Sequence, residues 1–249
     1  MKAMDLLKNH DYLEAIEAFR QEVRDQPNKN YYAAMGQAFL ALRQFDDAFK
    51  SFKRDDEIES SRLKGNFPSL IKTGTALWLL GKRREAILEW HHAAEGILDG
   101  SIRYGDSSGG GTQGLLLWYG AVTMKDITER DYALEYLHKL AKKRVSAICW
   151  PRPIVLMVLG EKSFEEVLEI GNGSVILSEC VEKANTDLLK RRRLCQTLFY
   201  AACQKRQAGD EAGCVIKMRL CSNLENPIVE SEWYLARGES ARQTPSADK

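Results

Sequence analysis

Residues 32–52 read YAAMGQAFLALRQFDDAFKSF, and this stretch decides the fold. Gly36 lies in a first apolar segment, a polar turn follows, and Ala48 and Phe52 lie one helical turn apart in a second segment. The same pair of a small and an aromatic residue occurs 33 residues earlier (48 − 15) as Ala15 and Phe19. Self-similarity at a fixed period of this size indicates an internal helical repeat.

A third copy of the pattern has Gly74 in its first segment and Ala86 and Trp90 in its second. Periods near 34 residues with helix–turn–helix content are typical of the tetratricopeptide repeat (TPR), and the chain resembles that family. The resemblance implies an all-α fold, a TPR-like right-handed superhelical solenoid of about 5–6 helical hairpins. Ordinary amphipathic helices in a bundle without repeats are the alternative.

The repeats predict one solenoid domain over residues 1–237. A truncated first repeat takes 1–27, and clear repeats take 28–60, 66–98 and 112–144. The copy at 112–144 is weaker, and the residues expected at its repeat positions are Leu116, Gly120, Ala133 and Leu137. Residues 150–237 are expected to form divergent repeats that end in a capping helix at 229–237. The polar tail at 238–249 is expected to be disordered.

The second half of the chain is similar to the C-terminal half of NlpI-like lipoprotein adaptors, which are bacterial TPR proteins that bring protein partners together. The residues that carry this resemblance are Trp150, Pro151, Pro153, Gly160, Ser163, Glu166, Phe199, Tyr200, Gly209, Asp210, Tyr234, Leu235 and Ala236. Ser163 and Glu166 also form a capping-box pattern, which predicts the start of a helix. The first residues of the chain show no lipobox or signal pattern, so we do not expect the lipoprotein role of those adaptors.

Charge and composition exclude several classes of function. The 36 Lys and Arg balance the 35 Asp and Glu, so the net charge is +1 and the broad positive field of a nucleic-acid binder is absent. No apolar run approaches the roughly 18 residues of a membrane span, and the first residues lack the apolar core of a signal peptide. We therefore expect a cytoplasmic protein that binds neither nucleic acid nor membrane.

The six cysteines allow one sharper hypothesis. If a hairpin turns at Ala208–Gly209, Cys203 faces Cys214 and Cys195 faces Cys221. Four thiols on two helices could bind zinc or form disulfides. Cysteine also packs as a small apolar residue in slots where the repeat has Ala, and we favour this second interpretation, which implies no metal.

No catalytic motif is found, and neither an enzymatic activity nor a cofactor is expected. The Gly-rich stretch 106–114 lacks the Gly-Lys-Ser/Thr ending of a phosphate-binding P-loop. It is either a connection between repeats or a binding loop, in which case Arg103, Tyr104 and Asp106 supply its contacts.

The TPR resemblance implies a concave groove lined by the first helix of each repeat. Trp78 would be the aromatic anchor for a partner there; the alternative places Trp78 in the core. The groove positions carried over from the family are Asn30, Ala33, Gln37, Leu40, Ile71, Thr75, Trp78, Leu117, Ala121 and Met124.

The expected function is therefore non-enzymatic protein binding by a monomer or weak dimer with one protein partner. By resemblance to proteins of toxin–antitoxin type loci, the first hypothesis is a bacterial immunity protein that neutralises a cognate toxin. A cytoplasmic TPR adaptor, or a chaperone for secretion or assembly, is the alternative, and an enzyme is the third.

Overall fold

The computed structural model describes residues 2–26, 30–62, 70–102, 109–142, 149–171, 187–225 and 230–243. In these ranges the regular secondary structure consists of α-helices, so the predicted all-α class is confirmed. The chain divides into two compact units, residues 1–104 and 105–249, and each is described by itself.

The first unit contains three consecutive helical hairpins. Their helices are α1 (Ala3–Lys8), α2 (Tyr12–Asp25), α3 (Tyr32–Ala41), α4 (Phe45–Arg62), α5 (Leu70–Leu79) and α6 (Arg83–Asp99). Within each hairpin the two helices pack together, and α2 against α3 and α4 against α5 connect one hairpin to the next. The predicted stacking of hairpins in chain order is therefore present in this unit.

The second unit is built around one long central helix, α11. Its helices are α7 (Gly111–Met124), α8 (Ile127–Ala141), α9 (Arg152–Val158), α10 (Phe164–Gly171), α11 (Asp187–Gln207), α12 (Glu211–Ser222) and α13 (Ser231–Gln243). α11 packs against α7, α9, α10, α12 and α13. This central position explains why α11 contributes so many buried side chains.

One kind of turn ends the first helix of all six described hairpins. A residue with positive φ donates its N–H to the carbonyl three residues before it. The next residue along the chain donates its own N–H to the carbonyl five residues before itself. These two bonds define the Schellman motif, which satisfies the last carbonyls of a helix. The positive-φ residues are His10, Arg43, Gly81, Lys125, Gly160 and Gly209.

Gly36 and Gly74 lie where two helices approach closely, as the repeat predicts, but the close neighbour of each is the ring of Phe52 or Trp90 and not the predicted Ala48 or Ala86. A Cβ atom placed on Gly36 would lie 2.4 Å from the Phe52 ring, and one on Gly74 would lie 2.4 Å from the Trp90 indole nitrogen. Only glycine fits at these two positions without a shift of the aromatic side chain. The repeat is thus held in register by contact between a glycine and a ring.

In the fourth hairpin the predicted slots Leu116, Gly120, Ala133 and Leu137 are all buried. Its close approach lies at Gly114, where a Cβ would be 2.4 Å from the Tyr136 ring. This crossing lies one turn earlier than in the second and third hairpins, because Trp118 stands seven residues before the turn residue Lys125 (125 − 7), where Gly36 and Gly74 stand in their hairpins (43 − 7 and 81 − 7). A tryptophan there moves the crossing to an earlier turn of α7.

The last helix is longer than the sequence predicts. α13 continues to Gln243, past the expected end at residue 237. The physical reason is Glu239, which is buried and accepts hydrogen bonds from Tyr119 and Arg206. The first part of the predicted tail is therefore helical, while residues 244–249 lie outside the described residues.

Candidate partner-binding groove

A cavity of about 300 Å³ opens between α2 and α4, with α3 beneath it. We call it the α2–α4 groove. It is lined by Arg20, Val23 and Arg24 from α2, by Tyr32, Met35 and Phe39 from α3, and by Asp47, Lys50 and Ser51 from α4. The groove lies on the side of the first unit formed by the second helices of two successive hairpins.

The floor of the groove is apolar because α3 presents one helical face to it. Met35 and Phe39 are one turn apart, so their side chains lie on the same face, and both are buried. Val23 is half-buried on the neighbouring wall. Methionine adapts its shape to what it contacts, so this floor suits one apolar side chain of a partner.

The residues that line the groove include three cations, Arg20, Arg24 and Lys50, and one acid, Asp47. Arg20 and Arg24 both pair with the single carboxylate of Glu17, at 3.4 and 3.7 Å. Across the groove Lys50 pairs with Asp46, and this hydrogen bond raises the pKa of the ammonium. All five of these paired side chains are more than half exposed. Pairs of this kind contribute little to stability and exchange readily.

The residues expected to line a concave groove have mixed positions. Buried side chains are Gln37, Leu40, Thr75, Trp78, Leu117 and Ala121. Asn30, Ala33 and Ile71 are partly buried, and Met124 is 41 % exposed. Three of the predicted residues belong to α7 in the second unit, and the other seven belong to the first unit.

Trp78, the predicted anchor, lies in the core with 1 % of its surface exposed. Its ring centroid is 5.7 Å from that of Trp90, and the Arg83 guanidinium lies over it at 5.3 Å. The alternative that Trp78 is a core residue is the one the structure shows. Asn30 is likewise engaged, since it donates to Asp55 at 2.7 Å and to Glu59 at 2.8 Å.

The lining of the α2–α4 groove was not among the predicted contacts. A sequence signal for it exists, because Arg20, Val23 and Arg24 are spaced by three and four residues and therefore lie side by side on one face of α2. The predicted loop contacts Arg103, Tyr104 and Asp106 lie outside the described residues.

The α11–α12 hairpin brings together Cys195 and Cys221, one of the two predicted cysteine pairs. The Cys195 and Cys221 sulfurs are 3.5 Å apart as free thiols, and both residues are fully buried. Burial raises the pKa of Cys195 well above its ordinary value, and it does the same for Cys203. Within the described part of the chain, no group of three or more His, Cys, Asp or Glu side chains is arranged to hold a metal ion.

Two buried carboxylates of α13 face two buried tyrosines. The Tyr200 hydroxyl donates to Glu232 at 2.8 Å, and the Tyr119 hydroxyl donates to Glu239 at 2.9 Å. Glu239 also accepts from Arg206 at 3.2 Å, whereas the side-chain donors described on Glu232 are Tyr200 and Gln196, both neutral. Burial, reinforced by the neighbouring charge of Glu230, raises the pKa of Glu232 to about 7.

Comparison with known proteins adds no family to this description. No model of a known protein family matches the chain, and no curated protein sequence is significantly similar to it. Among the described helices, none has both the length and the apolar character needed to cross a bilayer.

Proposed function

We propose that this chain is a non-enzymatic protein-binding module of helical hairpins, and that it acts as an immunity protein that binds and neutralises one cognate toxin. The observation that supports protein binding is the α2–α4 groove, in which the apolar floor of Met35 and Phe39 lies beneath a rim of exposed cations. Binding hot spots are typically apolar pockets surrounded by polar groups.

The support for the immunity role comes from the sequence. It rests on the TPR-like repeat and on the resemblance of the chain to proteins encoded beside toxins. A TPR adaptor shares the same hairpins but serves several partners with weaker affinity. The two roles therefore differ in the number of partners and in how slowly the complex dissociates.

The test is co-expression with the protein encoded by the neighbouring open reading frame. We expect that protein to be toxic when expressed alone, to be harmless together with this chain, and to co-purify with it near one-to-one. Capture from the native cell should then yield the same single partner. Several sub-stoichiometric partners would favour the adaptor, and a neighbour that stays toxic in the presence of this chain would refute the immunity role.

Variants of the groove connect this test to the structure. Replacing Arg20 and Arg24 with Glu should release the partner with only a small loss of thermal stability, because both side chains are more than half exposed and their surface pairs with Glu17 contribute little. Lys139→Glu on α8 is the matched control. Lys139 is an exposed cation paired with an acid four residues before it, as Lys50 is, and it lies outside the groove.

A further inference from the structure

We infer that the α2–α4 groove binds an acidic protein segment that inserts one apolar side chain. This inference deepens the proposed function and rests on it, because it assigns the chemistry of the partner's contact. The size and lining of the cavity determine which side chain of the partner can enter it. The charges around the cavity determine which residues flank that side chain in the partner.

The cavity fits an anchor the size of one side chain. Its volume of about 300 Å³ is at the lower limit of the range for pockets that enclose a whole small molecule. The floor consists of the Met35 thioether and the Phe39 ring, with Val23 and the Tyr32 ring beside them. A Leu, Met or Phe side chain therefore finds apolar contacts below it and on the α2 side, while the α4 side is polar.

The lining charges select acidic flanks. The lining contains three cations, with Arg20 and Arg24 on one wall and Lys50 on the other. Its one acidic side chain is Asp47. Glu17 and Asp46, which pair with these cations, lie outside the lining. One carboxylate, Glu17, serves two guanidinium groups, so a partner's carboxylate can replace it on either one.

The spacing of the cations supports a segment that lies across the groove. Arg20 and Arg24 are one turn apart on α2 and therefore point to the same side. Lys50 is on α4, and α3 lies between α2 and α4. A segment whose apolar residue enters the cavity can thus place one acidic residue near α2 and another near α4. A single guanidinium also binds a carboxylate in a fixed, two-pronged geometry, so either Arg20 or Arg24 can hold a partner's acidic side chain in this way.

The experiment uses the full chain with methionine and valine methyl groups labelled for NMR. The probe is a synthetic peptide with one central Phe between runs of Asp and Glu, added up to millimolar concentration. Two control peptides replace the Phe with Ala or the acids with Lys, and a single-stranded DNA oligonucleotide tests nucleic acid as the occupant. Met124, Met157 and Met218 in the second unit serve as internal references.

We expect the acidic Phe peptide to shift the methyl signals of Met35 and Val23 with saturation, and the two control peptides to have little effect. Replacing both Arg20 and Arg24 with Glu should weaken the binding about tenfold or more, whereas Lys139→Glu should leave it unchanged. Increasing salt should weaken the binding, since the rim is exposed.

Three outcomes would overturn the inference: no shift at Met35 and Val23, equal shifts with the Lys peptide, or stronger shifts with the oligonucleotide. None of these depends on the toxin assay. A peptide that binds although no toxin is neutralised would leave the groove chemistry in place and remove the immunity role. A neutralised toxin without peptide binding would do the reverse.

Discussion

The buried carboxyl of Glu232 makes the stability of the second unit dependent on pH. Only 1 % of this residue is exposed. Its described side-chain donors are the Tyr200 hydroxyl and the Gln196 amide. The nearby Glu230, which is paired with the Arg192 guanidinium, is a second source of the raised pKa of Glu232. Loss of water and repulsion from Glu230 together raise the pKa of Glu232 from 4.5 to about 7.

The sign of the effect follows from proton binding. In the unfolded chain this carboxyl loses its proton near pH 4.5, whereas in the folded protein it keeps the proton up to about pH 7. Between these values the folded state binds more protons, so the free energy of unfolding decreases as the pH rises. The shift of about 2.5 pKa units (7 − 4.5) at 1.36 kcal/mol per unit corresponds to about 3 kcal/mol.

Glu232→Gln separates this contribution from every other titration. Glutamine keeps the shape of the protonated carboxyl and can still accept the Tyr200 hydrogen bond, so near pH 5 the variant and the natural protein should be about equally stable. At pH 8 the variant should be more stable by up to about 3 kcal/mol. The measurement is urea unfolding at a series of pH values, followed by circular dichroism and by the fluorescence of the tryptophans.

Glu239→Gln is the matched control because Glu239 lies on the same helix and also accepts from a tyrosine. Glu239 is paired with Arg206, and replacing it leaves a buried guanidinium with one carboxylate fewer, so this variant should be less stable at pH 7. If Glu232→Gln loses stability by the same amount at every pH from 5 to 8, the assignment of a buried proton to Glu232 is refuted.

Three other predictions test the core. Gly74→Ala should cost about 1–3 kcal/mol of unfolding free energy, because its Cβ would lie 2.4 Å from the Trp90 indole. The cost should shrink when Trp90→Phe removes the clashing atoms, and equal costs in both backgrounds would contradict the contact. Trp78→Ala should lower the free energy of unfolding by about 3–5 kcal/mol, and partner binding should fall only in proportion to the fraction of unfolded protein. Loss of binding at full stability would instead show that Trp78 contacts the partner. Iodoacetamide should label the half-buried Cys149 well before the buried Cys195, because burial raises the pKa of Cys195. Peptide mapping can measure both labelling rates in the folded protein, and equal rates would contradict the burial of Cys195.

The repeat pattern predicted the hairpins and their close-approach glycines, where the contact is local in sequence, although it paired each glycine with an alanine and not with the ring. Gly36 with Phe52 and Gly74 with Trp90 are each separated by 16 residues (52 − 36 and 90 − 74), so one hairpin contains the whole contact. The capping box at Ser163 was predicted equally well, since both of its hydrogen bonds lie within four residues. Local geometry of this kind leaves a direct trace in the sequence.

Contacts between distant residues were not predictable in the same way. The length of α13 depends on Glu239 reaching Tyr119 and Arg206, and a polar sequence with no apolar period gives no sign of those partners. Trp118 likewise determines where the two helices of the fourth hairpin cross. Its indole N–H donates a hydrogen bond to the side chain of Gln207, which lies on α11, far along the chain. A side chain whose partner is remote carries no periodic signal.

The position of the candidate groove has a physical origin in the hairpin itself. The Schellman turn and the crossing between glycine and ring fix the inner faces of each helix pair, so Gly36 and Phe52 cannot change independently. Exposed positions on the second helices, such as Arg20 and Lys50, make only weak surface pairs and can change without loss of the fold. A binding surface can therefore vary on α2 and α4 at little cost in stability, whereas a surface made of Trp78 and Thr75 could not, because both are buried between helices.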